Sequence, residues 1–91
     1  MGAWLLQGFN DQLGGKDIIE DIRGQGLMIG IELKQPCAEL VDRAREKGLL
    51  INVTAGNVIR LLPPLIINQA QADFLLTTIV DIVNQFADSN A

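Results

Sequence analysis

An arginine interrupts Val58-Ile59-Arg60-Leu61-Leu62, a run otherwise apolar throughout. Side chains alternate faces along an extended strand, so Ile59 and Leu61 share one face and Arg60 points the other way, between Val58 and Leu62. A guanidinium in apolar surroundings needs an anion, and its planar fork matches a carboxylate through two parallel hydrogen bonds. Three fates are open to it: an anionic ligand, an ion pair with Glu32, or water. The first makes Arg60 a ligand-binding residue. Other chemistry is sparse. Cys37 is the single cysteine and there is no histidine, so a disulfide within the chain, a catalytic thiol–imidazole pair and a zinc site are all unexpected. Cys37 reads as a small buried apolar residue.

The segment Arg23-Gly24-Gln25-Gly26-Leu27-Met28-Ile29-Gly30 spaces its glycines as G-x-G-x-x-x-G. A dinucleotide-binding turn must follow a strand and open a helix whose N-terminus faces the pyrophosphate. Here an alternating strand follows instead, which rejects that chemistry. Gly24 and Gly26 are expected to permit a tight turn, and Gly30 to let something approach the outer face of the sheet closely.

The elements that must position Arg60 follow from periodicity. Leu5, Leu6, Phe9 and Leu13 form one helical stripe over residues 1–13, and Gly14-Gly15 stops the helix. Residues 18–23 and 27–33 read as a strand pair joined by Gly24-Gln25-Gly26. In the second of them Leu27, Ile29, Ile31 and Leu33 share one face, leaving Met28, Gly30 and Glu32 on the other. Pro36 suits the first position of a helix whose stripe is Cys37, Leu40, Val41 and Ala44. Glu39 and Arg43 pair on its wet face, and Gly48 is its left-handed cap. Residues 49–53 and 58–62 form a second strand pair around Ala55-Gly56-Asn57, stopped by Pro63-Pro64, which cannot donate to a ladder.

Asn68 and Gln71 make a capping box for a last helix, with Ala72, Leu75, Leu76, Ile79, Val80, Val83, Phe86 and Ala87 as its stripe. The order α-β-β-α-β-β-α predicts an α+β fold, a small and mainly antiparallel sheet of three to four strands with the helices on one face. Two features point to a domain that does not stand alone. The first helix starts at Met1 with no capping residue for its free N–H groups, which implies an upstream continuation. Trp4 and Phe74 lie off the apolar stripes of their helices, as aromatics covered by another body do.

Residues 1–91 suffice for one core, hence a single domain. With 48% hydrophobic and 20% charged residues, the composition is that of an ordered globular chain. The net charge of -4, with no basic stripe, argues against a nucleic-acid partner. Residues 58–67, the longest apolar run, are too short for a membrane span and contain Arg60. No basic leader is present, so a reducing cytoplasm is the expected compartment and the Asn52-Val53-Thr54 sequon is accidental.

Taken together, Asp21-Ile22-Arg23-Gly24-Gln25-Gly26-Leu27-Met28-Ile29-Gly30-Ile31-Glu32-Leu33, then Gly48-Leu49-Leu50-Ile51-Asn52-Val53, then Val58-Ile59-Arg60-Leu61-Leu62-Pro63-Pro64-Leu65 resembles the C-terminal region of the class III aminotransferases. The Arg-Leu-Leu-Pro-Pro-Leu form is most similar to their acetylornithine branch. The resemblance implies the C-terminal small domain of a fold type I transferase. It also implies transfer of an amino group from N-acetylornithine to 2-oxoglutarate through pyridoxal phosphate, in arginine biosynthesis, by a cytoplasmic homodimer. Arg60 matches the family arginine that binds the substrate α-carboxylate. The Schiff-base lysine, the aspartate on the pyridine nitrogen and the phosphate-binding residues belong to the family's large domain, the implied partner of this one.

A Schiff-base lysine must be desolvated beside a phosphate cradle. Lys16 follows a glycine turn, Lys34 ends a strand and Lys47 ends a polar helix face; each reads as a solvated charge, and Asp21 as structural. No catalytic or cofactor-binding residue is therefore expected in this chain, which alone is expected to be inactive and to bind no cofactor. Other readings stand beside this one: a free-standing regulatory module that binds a small carboxylate, a purely structural domain that completes an interface without substrate contact at Arg60, and an ornithine or other ω-amino-acid aminotransferase of the same family.

Overall fold

Three helices and four strands succeed one another as α1 (Gly2–Leu13), β1 (Ile19–Gln25), β2 (Met28–Leu33), α2 (Leu40–Glu46), β3 (Asn52–Thr54), β4 (Val58–Leu61) and α3 (Gln69–Ser89). The computed structural model of the chain describes residues 2–25, 28–49, 51–61 and 68–89. The expected start of the first helix at Met1, Gly26 of the first connection, Leu27 at the expected start of the second strand, and the prolines Pro63-Pro64 expected to stop the sheet lie outside them. The strands form one antiparallel sheet in the order β1-β2-β4-β3, so the α+β architecture and the element order expected above are those observed.

Each element is closed by local chemistry. Leu5, Phe9 and Leu13 recur every fourth residue and are fully buried, and Gly15, at φ 86°, ends α1. Two bonds finish α2: the Gly48 N–H donates to the Arg45 carbonyl at 3.0 Å, and the Leu49 N–H to the Ala44 carbonyl at 2.9 Å. With Gly48 at φ 86°, that pair is a Schellman motif. It also explains why β3 begins at Asn52 and not at Leu49 as expected: the Leu49 amide is committed to the helix end. Ahead of α3 the capping box is reciprocal. The Gln71 N–H donates to Asn68 Oδ1 at 2.8 Å and the Asn68 N–H to Gln71 Oε1 at 3.1 Å.

Two expectations are corrected. Pro36 does not begin α2, which starts at Leu40 after Glu39. The Cys37 N–H donates to the Gly56 carbonyl at 2.7 Å, so the chain there is tied to the β3–β4 turn before it can coil. In α3 the expected stripe is buried at Ala72, Leu75, Leu76, Ile79, Val83 and Phe86, but the buried arc also takes in Thr78 and Ile82, while Val80 and Ala87 are half-buried. The helix packs against both α1 and α2, and its inner side is set by that wedge more than by hydrophobicity alone. The expected i, i+4 pair is present, Arg43 Nη2 lying 3.1 Å from Glu39 Oε2.

One core joins the layers. Ile29, Ile31 and Leu33 of β2 and Ile59 and Leu61 of β4 meet Leu5, Phe9, Leu40, Ile79, Val83 and Phe86 from the helices. All of these are buried, which leaves the other face of the sheet free of helices among the described residues. No described helix is long and apolar enough to cross a membrane.

Cys37 lies in this core with no exposed surface, and burial, with a smaller push from Glu39, raises its thiol to about 11. The raised value fixes a sign. Below about pH 8.5, the ordinary thiol value, both states keep the proton and stability is unaffected. As the pH climbs from there toward 11, the unfolded chain ionises and the folded one does not, so stability falls. The loss should reach about 2–3 kcal/mol near pH 11. Urea unfolding of the parent and of Cys37→Ala at pH 7 and pH 10.5 checks it: the parent's excess stability over the variant should shrink at the higher pH, and a constant difference refutes the assignment.

Candidate functional site

On the helix-free face the register lines up one row of residues. Arg23 of β1 faces Gly30 of β2, Gly30 faces Arg60 of β4, and Arg60 faces Asn52 of β3. Since Ile59 and Leu61 enter the core, Arg60 points outward and is exposed. Beside it lies a recess of about 460 Å³ whose walls include Arg23, Met28, Thr54, Ala55 and Val58, with Gly30 among its lining. Its rim is held by an unusual backbone. Ala55 sits at φ 55°, next to Gly56 at φ 83°, in the turn between β3 and β4. For a residue with a Cβ, that conformation costs about 1 kcal/mol.

Arg60 donates from Nε and Nη2 to Met28 Sδ, at 3.1 and 2.6 Å. Of the three fates open to it, the ion pair with Glu32 does not occur. Glu32 Oε1 is instead 3.0 Å from Arg23 Nη1, which also lies 3.0 Å from Asp21 Oδ2. These bonds, first to Asp21 and then to Glu32, push the Arg23 guanidinium further up from its ordinary value. Arg23, Arg43 and Arg45 each reach a carboxylate, whereas Arg60 has none within ion-pair distance among the described residues. Its fork meets only a thioether, a weak acceptor that an incoming carboxylate can displace.

The glycines divide differently from the sequence reading. Gly24 is paired within β1, opposite Ile29, and is not a turn residue. A Cβ there would come within 2.9 Å of Leu6 Cδ2, the movable end of a side chain, so glycine lets α1 approach the sheet without displacing Leu6. At Gly30 a Cβ would meet Arg23 Cγ at 3.7 Å and Val58 Cγ1 at 3.8 Å, both ordinary contacts. What lies over Gly30 is the stem of Arg23. Neither Arg23 nor Met28 was singled out from the sequence as part of a site. The alternation that puts Met28 and Glu32 on the outer face was the available signal, and it says nothing of which strand faces them.

Architecture and site together define an α+β domain with helices on one face of an antiparallel sheet and, on the other, a guanidinium with no carboxylate partner among the described residues. The model of the class-III aminotransferases matches residues 1–83, and the chain belongs to that family. It is 46% identical over 86 residues to acetylornithine aminotransferase 1 of Bordetella pertussis, an alignment covering 94% of this chain and 22% of that protein. The ornithine delta-aminotransferase structure from Plasmodium falciparum superposes with a TM-score of 0.85 at 32% identity, covering 96% of this chain and 23% of that one. An ornithine aminotransferase structure from Toxoplasma gondii, with PLP at partial occupancy in its active site, gives 0.78 at 30% identity over 89% of this chain and 20% of that one. The chain thus spans about a fifth of the length of its relatives and corresponds to their C-terminal segment.

The residues present do not fit a pyridoxal phosphate site. Lys16, Lys34 and Lys47 are all exposed, Lys47 Nζ is 2.9 Å from Asp81 Oδ2, and none of the three lines the recess beside Arg60. A lysine that forms a Schiff base is desolvated next to a phosphate cradle, and these are not.

Proposed function

We propose that this chain is the C-terminal domain of a pyridoxal-phosphate-dependent aminotransferase that moves an amino group from N-acetylornithine to 2-oxoglutarate, and that Arg60 binds the carboxylate of the reacting acid. The observation that carries the reading is the state of Arg60: an outward fork on an open recess, without a carboxylate partner among the described residues. The 46% identity to an acetylornithine aminotransferase favours that donor over ornithine. Pyridoxal phosphate supplies the electron sink of such a reaction when bound, and the lysine that holds it belongs to the large domain of the same enzyme. The work of this chain is to seat and orient one carboxylate, so that the group to be transferred is presented in a fixed geometry. The exposed rings of Trp4 and Phe74 suit a face that the large domain covers. A cytoplasmic homodimer completes the proposal.

The test is a comparison of the complete enzyme with the isolated chain. The complete enzyme should convert N-acetylornithine and 2-oxoglutarate, and the isolated chain, given pyridoxal phosphate, should turn over neither. Titration calorimetry of the isolated chain with glutamate, 2-oxoglutarate and N-acetylornithine should give no appreciable binding, because one face of the carboxylate site is missing. Appreciable affinity in the isolated chain would instead establish a free-standing carboxylate-binding module.

A further inference from the structure

Asp21, Arg23, Glu32 and Arg60 lie on the outer face of the sheet, and the pairing among these four leaves Arg60 out. Asp21 on β1 stands directly opposite Glu32 on β2, a placement in which like charges repel. Arg23 resolves the repulsion, its Nη1 lying 3.0 Å from both Asp21 Oδ2 and Glu32 Oε1. It reaches them across Gly30, which faces it and has no side chain in the way.

Glu32 is equally a diagonal neighbour of Arg60, because Gly30 faces Arg60 and Glu32 faces Val58. Diagonal residues on adjacent strands lie about 7–8 Å apart, within reach of long side chains. A guanidinium with a free carboxylate in reach takes it in preference to a neutral acceptor. Arg60 nevertheless rests on the sulfur of Met28.

We propose that Arg23 is a positioning residue for the ligand site: by holding Glu32 against Asp21 it withholds that carboxylate from Arg60 and keeps the Arg60 fork open to an incoming acid. The proposal rests on the reading of Arg60 as the carboxylate-binding group. Arg23 itself lines the same recess, but its guanidinium is already shared between two acids. Its loss frees Glu32 to swing across Gly30 onto Arg60, where it competes with the substrate.

The experiment is a double-mutant cycle in the complete enzyme with 2-oxoglutarate as the varied acid. Arg23→Met keeps the aliphatic stem over Gly30 and removes the charge. KM should rise about fivefold, the competition that an exposed ion pair can mount, while kcat stays within about twofold. Arg23→Met/Glu32→Ala should return KM to within about twofold of the parent, and Glu32→Ala alone should leave it there. A general packing role for Arg23 would not be rescued by deleting Glu32. Should Arg23→Met not accumulate as folded enzyme, Arg23→Gln with its own Glu32→Ala partner serves. An unchanged KM in the single variant, or an equal rise in the double, overturns the role of Arg23. Arg60→Ala separates the two levels: if it leaves KM untouched, the carboxylate reading itself fails, whereas a large Arg60 effect without rescue at Glu32 defeats Arg23 alone.

Discussion

Replacing Arg60 by alanine in the complete enzyme should raise the KM for 2-oxoglutarate about 100-fold or more. The size follows from the chemistry of the pair. A hydrogen bond to a charged group is worth about 1.5–3 kcal/mol, and a fork offers two of them in parallel. About 2.7 kcal/mol corresponds to 100-fold, so even an incompletely covered site reaches that figure. N-acetylornithine reacts at its δ-amino group, so its carboxylate lies several bonds further from the reacting carbon than the α-carboxylate of 2-oxoglutarate, and the KM for the keto acid should suffer more than that for the donor. Arg60→Lys keeps the charge and loses the planar fork, and should recover only part of the loss. Steady-state kinetics with each substrate varied in turn checks it, and a variant with parental constants for both would remove Arg60 from recognition.

Phe9→Ala should have the largest effect on stability, about 3–5 kcal/mol. Phe9 is fully buried on α1, which packs on β1, β2 and α3, so truncation opens a void in the core between helix and sheet. Domains of this kind hold about 5–15 kcal/mol in total, and the variant would be close to unfolding at room temperature. Phe74→Ala gives the internal comparison. That ring is 47% exposed and its loss should cost less than about 0.5 kcal/mol. Urea denaturation of both variants measures the contrast, and similar midpoints would mean that the core has been wrongly placed.

Much of the site's framework was legible in the residues themselves. The alternation of Ile29, Ile31 and Leu33 marked the inner face of β2, that of Ile59 and Leu61 sent Arg60 outward, and Asn68 with Gln71 announced the start of α3. Family motifs in the same segments agreed with that reading, and residues 1–83 match the family. Each of these signals is local. A side chain's face depends on its immediate neighbours along the strand, and a cap depends on residues three apart.

The partners of Arg60 were not legible, because they are set by strand order and register. β4 pairs with β2 and not only with its hairpin neighbour β3, and that choice brings residue 60 opposite residue 30 and within reach of residues 28 and 32. The amide of Cys37 delayed α2, and contact with two helices at once turned the buried arc of α3 toward Ile82. Sequence alone therefore determined that Met28, Gly30, Glu32 and Arg60 share the outer face, and left the partner of Arg60 open among a ligand, Glu32 and water. Tertiary structure decided that Glu32 goes to Arg23 and a thioether to Arg60. The physical reason is range: periodicity acts over a few residues, whereas an ion pair is chosen by ångström-scale distances among strands far apart in the chain.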